Sequence, residues 1–381
     1  FCCSNMYAAI LNIYNMKNIH LLYLAVFAGS CAATLVLTPV FRKLAVITNF
    51  MDVPADNHKG HKKSTPLLGG LAMFTAWLFC IGAGIWVIHS RFADSFPLDA
   101  EQLKGVATVS RELLFLMGGA TLAVLLGLID DKIAMSAKVK FTGQFVIALI
   151  AVFLGGVKFN IFPEYPVCST AFTLFWIMLL MNSINFFDNM DGLAVGTVAI
   201  AMALFAAVAA LNGQFLVASF SALNCGVCCG FWFYNANPAT IFMGDSGSHF
   251  IGYLAAIISS QVTFFDKSFS LSRFPVLMPM FILALPLFDT LMVVLIRTRN
   301  KKPFWIGDHN HISHRFVRMG LDRKQAVQLV HLMALAIGIG ILPVFWGNFT
   351  TAAILVFQSL ILLLIVTCLQ LWLSKKSDAK E

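Results

Sequence analysis

An all-α, polytopic membrane fold is predicted by three features of this chain. Hydrophobic residues make up 59% of it and charged residues only 12%, against about 45–50% and 25% in soluble domains. Eleven apolar tracts recur, each near the roughly 20 residues a helix needs to cross a bilayer core. The polar residues gather in the stretches between them.

The tracts can be taken in order. The chain opens on Phe1, with Met16 and Lys17 heading a natural start, so 1–18 reads as an upstream extension. Residues 19–374 read as one transmembrane domain and 375–381 as a basic cytoplasmic tail. The first helix, about 21–41, is an uncleaved first span. The second, about 67–88, opens on the Gly69–Gly70 pair, and the third, about 113–129, ends in GLIDDK. A fourth covers about 141–157, and a fifth, about 171–187, runs into NSINFFDNMDGL. The sixth and seventh, about 193–211 and 215–233, are apolar throughout; the eighth, about 249–265, follows GDSGSH. The ninth, about 274–296, carries Asp289 inside it, and 327–346 and 351–373 complete the set.

An odd number of crossings puts the termini on opposite sides. The Lys and Arg of 41–63, 129–140, 297–324 and the tail then share one face. The other holds only Lys17, Arg91, Lys104, Arg111, Lys158, Lys267 and Arg273. By the positive-inside rule the C-terminus is cytoplasmic and the N-terminus outside. The net charge of +8 follows from that bias and from anionic lipid, without any nucleic acid. The nine cysteines lie mostly in apolar tracts, where thiols act as small hydrophobes, and imply neither disulfides nor zinc.

The unusual polar stretches all fall on the cytoplasmic face: 53–70, GLIDDK, NSINFFDNMDGL, NANPATIFMGDSGSH and GDHNHISHR. A lone Asp at such a boundary is more often a helix cap than a catalyst. Asp130 and Asp131, however, are adjacent at a helix C-terminus, where the dipole disfavours anions. Two carboxylates there suggest a cation. Asn182, Asn185 and Asp188 share a face at helical spacing, with Asp191 close behind, which is more than capping can use. Asp245, between glycines at the start of a helix, reads equally as a cap or as part of a phosphate-binding turn. Hard oxygen donors without Cys suit Mg²⁺, with Mn²⁺ as its substitute, and Mg²⁺ implies a phosphorylated substrate. His309, His311 and His314 suit either a transition metal or donation to phosphate. Asp289 reads equally as functional or as the partner of a nearby basic group.

Taken together, these motifs resemble the polyprenyl-phosphate N-acetylhexosamine-1-phosphate transferases. KGHKKSTPLLGG, Asp130–Asp131, NSINFFDNMDGL, NANPATIFMGDSGS and DHNHISH match the family's pattern in order and across nearly the whole chain. Two positions depart from it: Ser313 stands where a central histidine is usual, and Asn189 where glycine is often found. The eleven tracts and the DxxH form resemble the UDP-N-acetylglucosamine branch. The resemblance implies transfer of a sugar 1-phosphate from a UDP-N-acetylhexosamine to undecaprenyl phosphate, with release of UMP. It also implies a bacterial inner membrane, a cytoplasmic active site, and a role in cell-wall or lipopolysaccharide O-antigen synthesis. By the same resemblance Asn185 and Asp245 are metal ligands, and Asp130 deprotonates or orients the lipid phosphate, with Asp131 as its alternate or as a second metal contact. Lys63, Asp188, Asp191, Asn235, His311 and His314 then bind substrate. UDP-MurNAc-pentapeptide is the alternative donor, and a homodimer the assembly considered.

Two rivals are weaker. A CDP-alcohol phosphatidyltransferase needs Ala-Arg and two further aspartates after its Asp-Gly pair, whereas LAVGTVAIAMALFAAV follows Gly192. A transporter would place its ionisable groups near the midplane of related halves, and here they gather at one face.

Overall fold

A computed structural model describes residues 2–52, 64–90, 108–159, 161–162, 164–264, 274–301, 303 and 310–378, without the side chains of 2–18 and 369–378. A helix stands at each of the eleven tracts. They are α1 (Cys2–Ile47), α2 (Gly69–His89), α3 (Ser110–Ile133), α4 (Ala137–Leu149, running on as a π-turn), α5 (Pro166–Phe187), α6 (Leu193–Leu211), α7 (Phe215–Asn235) and α8 (Gly244–Gln261). The short α9 (Met278–Ile282), α10 (Ala284–Arg299), the short α11 (Ile312–Arg318), α12 (Arg323–Ile341) and α13 (Phe349–Asp378) follow. Among the described residues strand is confined to β1 (Met51–Asp52) and β2 (Thr65–Pro66), paired antiparallel.

Nine of the described helices are long and apolar enough to cross a membrane, and the pair 274–282 and 284–299, bent by 74°, makes a tenth if taken as one span. The expected eighth span is the exception, for a physical reason. From Ser246 to Ser259 every residue of α8 is buried, packed among α2, α3, α5, α6 and α7. A helix that never meets lipid need not be apolar all round, provided its polar groups are satisfied inside the protein. Farther along, the Tyr253 hydroxyl donates to the Leu116 carbonyl (3.2 Å). The Trp176 indole donates to Ser259 (2.9 Å).

Packing brings the aspartate pair, Asn185 of the third motif and the described end of the first motif to one end of α8. Lipid is as apolar as a protein core, so helices associate through close contact and interhelical hydrogen bonds worth about 1–2 kcal/mol at most. Gly127 lets α3 touch the start of α8: a Cβ there would press on the Asp245 carbonyl and the Ser246 nitrogen. One turn later on α3 come Asp130 and Asp131. The Gly69 and Gly70 N–H groups donate to the Phe242 and Met243 carbonyls (3.0 and 2.9 Å), and the Phe242 N–H donates to Pro66 (2.8 Å). The first and fourth motifs are thus sewn together by backbone.

Candidate active site

The adjacent carboxylates of α3 part company. Successive helical residues point about 100° apart, so Asp131 turns to α8 and Asp130 to α4. The Asp131 carboxylate accepts from the N–H groups of Asp245 (2.8 Å) and Ser246 (3.2 Å), closing the first turn of α8. This cap needs Gly244 in a left-handed conformation (φ +67°) with no side chain facing the carboxylate. Asp131→Ala should therefore cost about 1–2 kcal/mol, read as a lower unfolding midpoint in detergent. An unchanged midpoint would mean that other contacts hold α8.

Asp130 accepts from the Met135 N–H (2.7 Å) and meets the ammonium of Lys140 (2.5 Å). Lys140 also meets Asp245 (2.5 Å) and lies 3.5 Å from the Asn185 carbonyl oxygen. The Asn185 amide donates to Asp245 (2.8 Å) and to the Ser248 hydroxyl (2.9 Å). One cation thus sits among oxygens of α3, α5 and α8. Lys140 carries no motif signature in the sequence, where it counts only as a basic residue on the cytoplasmic side. What could have drawn attention to it is its place at the head of an apolar tract, one turn before Gln144.

Asp188 closes α5, outside the membrane-crossing segment. Burial raises its carboxyl well above the ordinary carboxylate range, and the nearby charges of Asp245, Asp131 and Asp191 push the same way. Such crowding of anions is what a divalent cation relieves. Among the described residues no three His, Cys, Asp or Glu side chains form a metal cage. Mg²⁺ does not require one, since it binds through one or two carboxylates together with water and substrate phosphate. The Asp130, Asp245 and Asn185 oxygens that already converge on an ammonium fit that ion.

Two residues expected from the resemblance to touch substrate make scaffold contacts. Asn235 is 3% exposed; its carbonyl accepts from the Gly192 N–H, and its amide donates to the Ile241 carbonyl (both 3.0 Å). Asp191 accepts from the Asn237 amide and the Ala239 N–H (both 3.0 Å). Together they fix the loop between α7 and α8 against the one between α5 and α6.

The histidine loop ends at α11. Asp289 accepts from His311 Nδ1 (2.7 Å) and from the Ile312 N–H (2.6 Å), so it serves as the partner of a histidine. That bond directs Nε2 of His311 to any other partner. His314 lies beside it, the ring centroids 6.3 Å apart. The Ser313 hydroxyl donates to Asn189 (2.5 Å), tying α11 to the loop that carries Asp188 and Asp191. Lys63 and His309 lie outside the described residues.

Comparison with known proteins shows the family. A family model described as glycosyl transferase family 4 matches residues 113–263, the span from α3 through α8. The "Probable undecaprenyl-phosphate N-acetylglucosaminyl 1-phosphate transferase" of Bacillus subtilis (strain 168) is 34% identical over 316 residues, 81% of this chain and 80% of that one. The chain belongs to glycosyl transferase family 4. A decaprenyl-phosphate N-acetylglucosaminephosphotransferase of Mycolicibacterium smegmatis is 28% identical over 348 residues, covering 84% and 82%. A phospho-N-acetylmuramoyl-pentapeptide-transferase of Bacillus anthracis is 32% identical over 252 residues, covering 61% and 72%. The more extensive matches place the chain on the N-acetylglucosaminyl branch of family 4.

Proposed function

We propose that this protein transfers N-acetylglucosamine 1-phosphate from UDP-N-acetylglucosamine to undecaprenyl phosphate, releasing UMP. The reaction belongs at the cytoplasmic face of a bacterial inner membrane, as the first membrane step of an envelope polysaccharide. The observation that carries the reading is the Lys140 ammonium between Asp130 and Asp245, with Asn185 beside it, at helix ends. A lipid phosphate can reach that level while its tail stays in the bilayer.

An oxygen of the lipid phosphate attacks the sugar-bearing phosphorus of the donor. The bond to the bridging oxygen breaks, and UMP leaves with that oxygen. Two anions must meet, so catalysis rests on positioning and on neutralising charge. Asp130, on the α3 side of the cluster, orients the lipid phosphate and takes any proton it still carries. Lys140 exchanges its carboxylates for phosphate oxygens as the substrates enter. Asp245 and Asn185 would hold Mg²⁺, which when bound supplies Lewis-acid polarisation of the transferred phosphoryl. His311, oriented by Asp289, and His314 donate to the donor phosphates. Asp188 and Asp191 border the nucleotide end.

The purified protein in detergent should release UMP from UDP-N-acetylglucosamine only when undecaprenyl phosphate and Mg²⁺ are both present. A panel that includes UDP-MurNAc-pentapeptide should show preference for the simpler sugar. No UMP from any UDP-sugar would sink the reading.

A further inference from the structure

Lys140, Asn185 and Asp245 meet at the mouth of the site, and each has a polar residue one helical turn away on its own helix. On α4, Gln144 is four residues after Lys140; on α5, Asn182 is three before Asn185; on α8, His249 is four after Asp245. These three are also bonded to one another. The Asn182 amide donates to the Gln144 carbonyl oxygen (2.6 Å), and the Gln144 amide donates to His249 Nε2 (2.9 Å). Since Nε2 accepts, Nδ1 carries the proton, and it lies 2.6 Å from the Asp245 carbonyl oxygen. Gln144 and His249 are both fully buried. The bonding of the upper layer, in which Lys140 joins Asn185 and Asp245, is repeated one turn deeper by Gln144 joining Asn182 and His249.

Apolar side chains would bind three membrane helices together as well as this trio, without the risk of an unsatisfied polar group. Interlocked amides and an imidazole do something apolar contacts cannot, because they accept one axial register and penalise the rest. The packing shows where this matters. Helix α4 packs on α3 and α5, and Lys140 and Gln144 are the side chains that carry it across to α8. The backbone of Asp245 is gripped twice, by Asp131 at its N–H and by His249 at its carbonyl. Its carboxylate can then change partners while the main chain stays in place.

We propose that Asn182, Gln144 and His249 form a positioning layer that sets the register of α4, α5 and α8 and so holds Lys140, Asn185 and Asp245 where the reaction and its cation need them. The inference rests on the transferase reading above.

The test uses the full chain in detergent, with Gln144→Leu, His249→Leu and the double variant. Each is read by its unfolding midpoint with and without Mg²⁺ and by kcat and KM for UDP-N-acetylglucosamine. Each single variant strands a buried partner, so its midpoint should fall. In the double variant both partners are gone, and Asn182 keeps its bond to the Met178 carbonyl (2.8 Å), so the midpoint should recover. Its kcat should nevertheless stay about tenfold or more below wild type, with KM little changed and a smaller rise in midpoint on adding Mg²⁺. A double variant with wild-type kcat and a wild-type response to Mg²⁺ overturns the layer. Should the leucine variants not fold, His249→Asn keeps an amide donor for the Asp245 carbonyl but loses Gln144. It should fold with reduced kcat, and full kcat there overturns the proposal equally. An inactive wild type would count against the transferase reading instead; the Mg²⁺ response of the variants would then decide the layer by itself.

Discussion

Replacing Asp245 with asparagine is expected to lower UMP release about 10³-fold, or roughly 4 kcal/mol of transition-state stabilisation. The change is nearly isosteric. It keeps an oxygen for the Asn185 amide and leaves the backbone bonds to Asp131 and His249 in place. What it removes is the negative charge shared between Lys140 and the proposed metal site. The protein should still fold, its midpoint lowered by no more than one partly exposed ion pair, since Lys140 keeps Asp130 and the Asn185 amide keeps an acceptor. Loss of turnover with a cooperative unfolding transition retained separates chemistry from folding. Turnover within about tenfold of wild type would remove Asp245 from the reaction, because a lost metal ligand costs more than that.

Lys140→Met should be comparably damaging, and in a way that identifies the cluster as a cation site. Its side chain is 17% exposed, and those of Asp130 and Asp245 are 9% and 32% exposed. Methionine fills much of the volume but leaves the two carboxylates unpaired. With partial solvent access the loss of stability is about 2 kcal/mol, below the range for a fully buried pair. Turnover should fall about 10²-fold or more, since a positioned charge that neutralises phosphate is lost. Added Mg²⁺ should then stabilise the variant more than it stabilises wild type, because no ammonium competes for the oxygens of Asp130, Asp245 and Asn185. A Lys140→Met protein with wild-type turnover would exclude the lysine from the site. One that Mg²⁺ does not stabilise would show that these oxygens do not bind the ion.

Much of this was legible in the sequence because hydrophobic length and the order of the polar loops are local signals. Each of the eleven tracts holds a helix, and the motifs at 130, 185 and 245 do converge. The division of labour inside a motif was not legible. Asp130 and Asp131 look equivalent as neighbours, but which one meets a lysine and which one caps a helix depends on where α8 crosses α3. The partner of Asp289 lies 22 residues along, beyond a polar loop, so no helical spacing could announce it. Lys140 was hidden by the very rule used to read topology, which counts a lysine without asking where its ammonium goes. Asn182 had no visible role, because its side-chain partner, Gln144, belongs to another helix. Helix α8 reads as a bilayer span by position, yet its environment is protein on all sides, which only the assembled bundle reveals.

Ser313 and Asn189 depart from the family pattern at places 124 residues apart in the chain, yet their side chains share one hydrogen bond. The two side chains are therefore physically coupled, so that a change at one alters the surroundings of the other. A histidine at 313 would bring a larger ring against the Asn189 amide, and a glycine at 189 would leave the buried Ser313 hydroxyl without its acceptor. Ser313→His or Asn189→Gly alone should therefore cost more stability than the two exchanges made together.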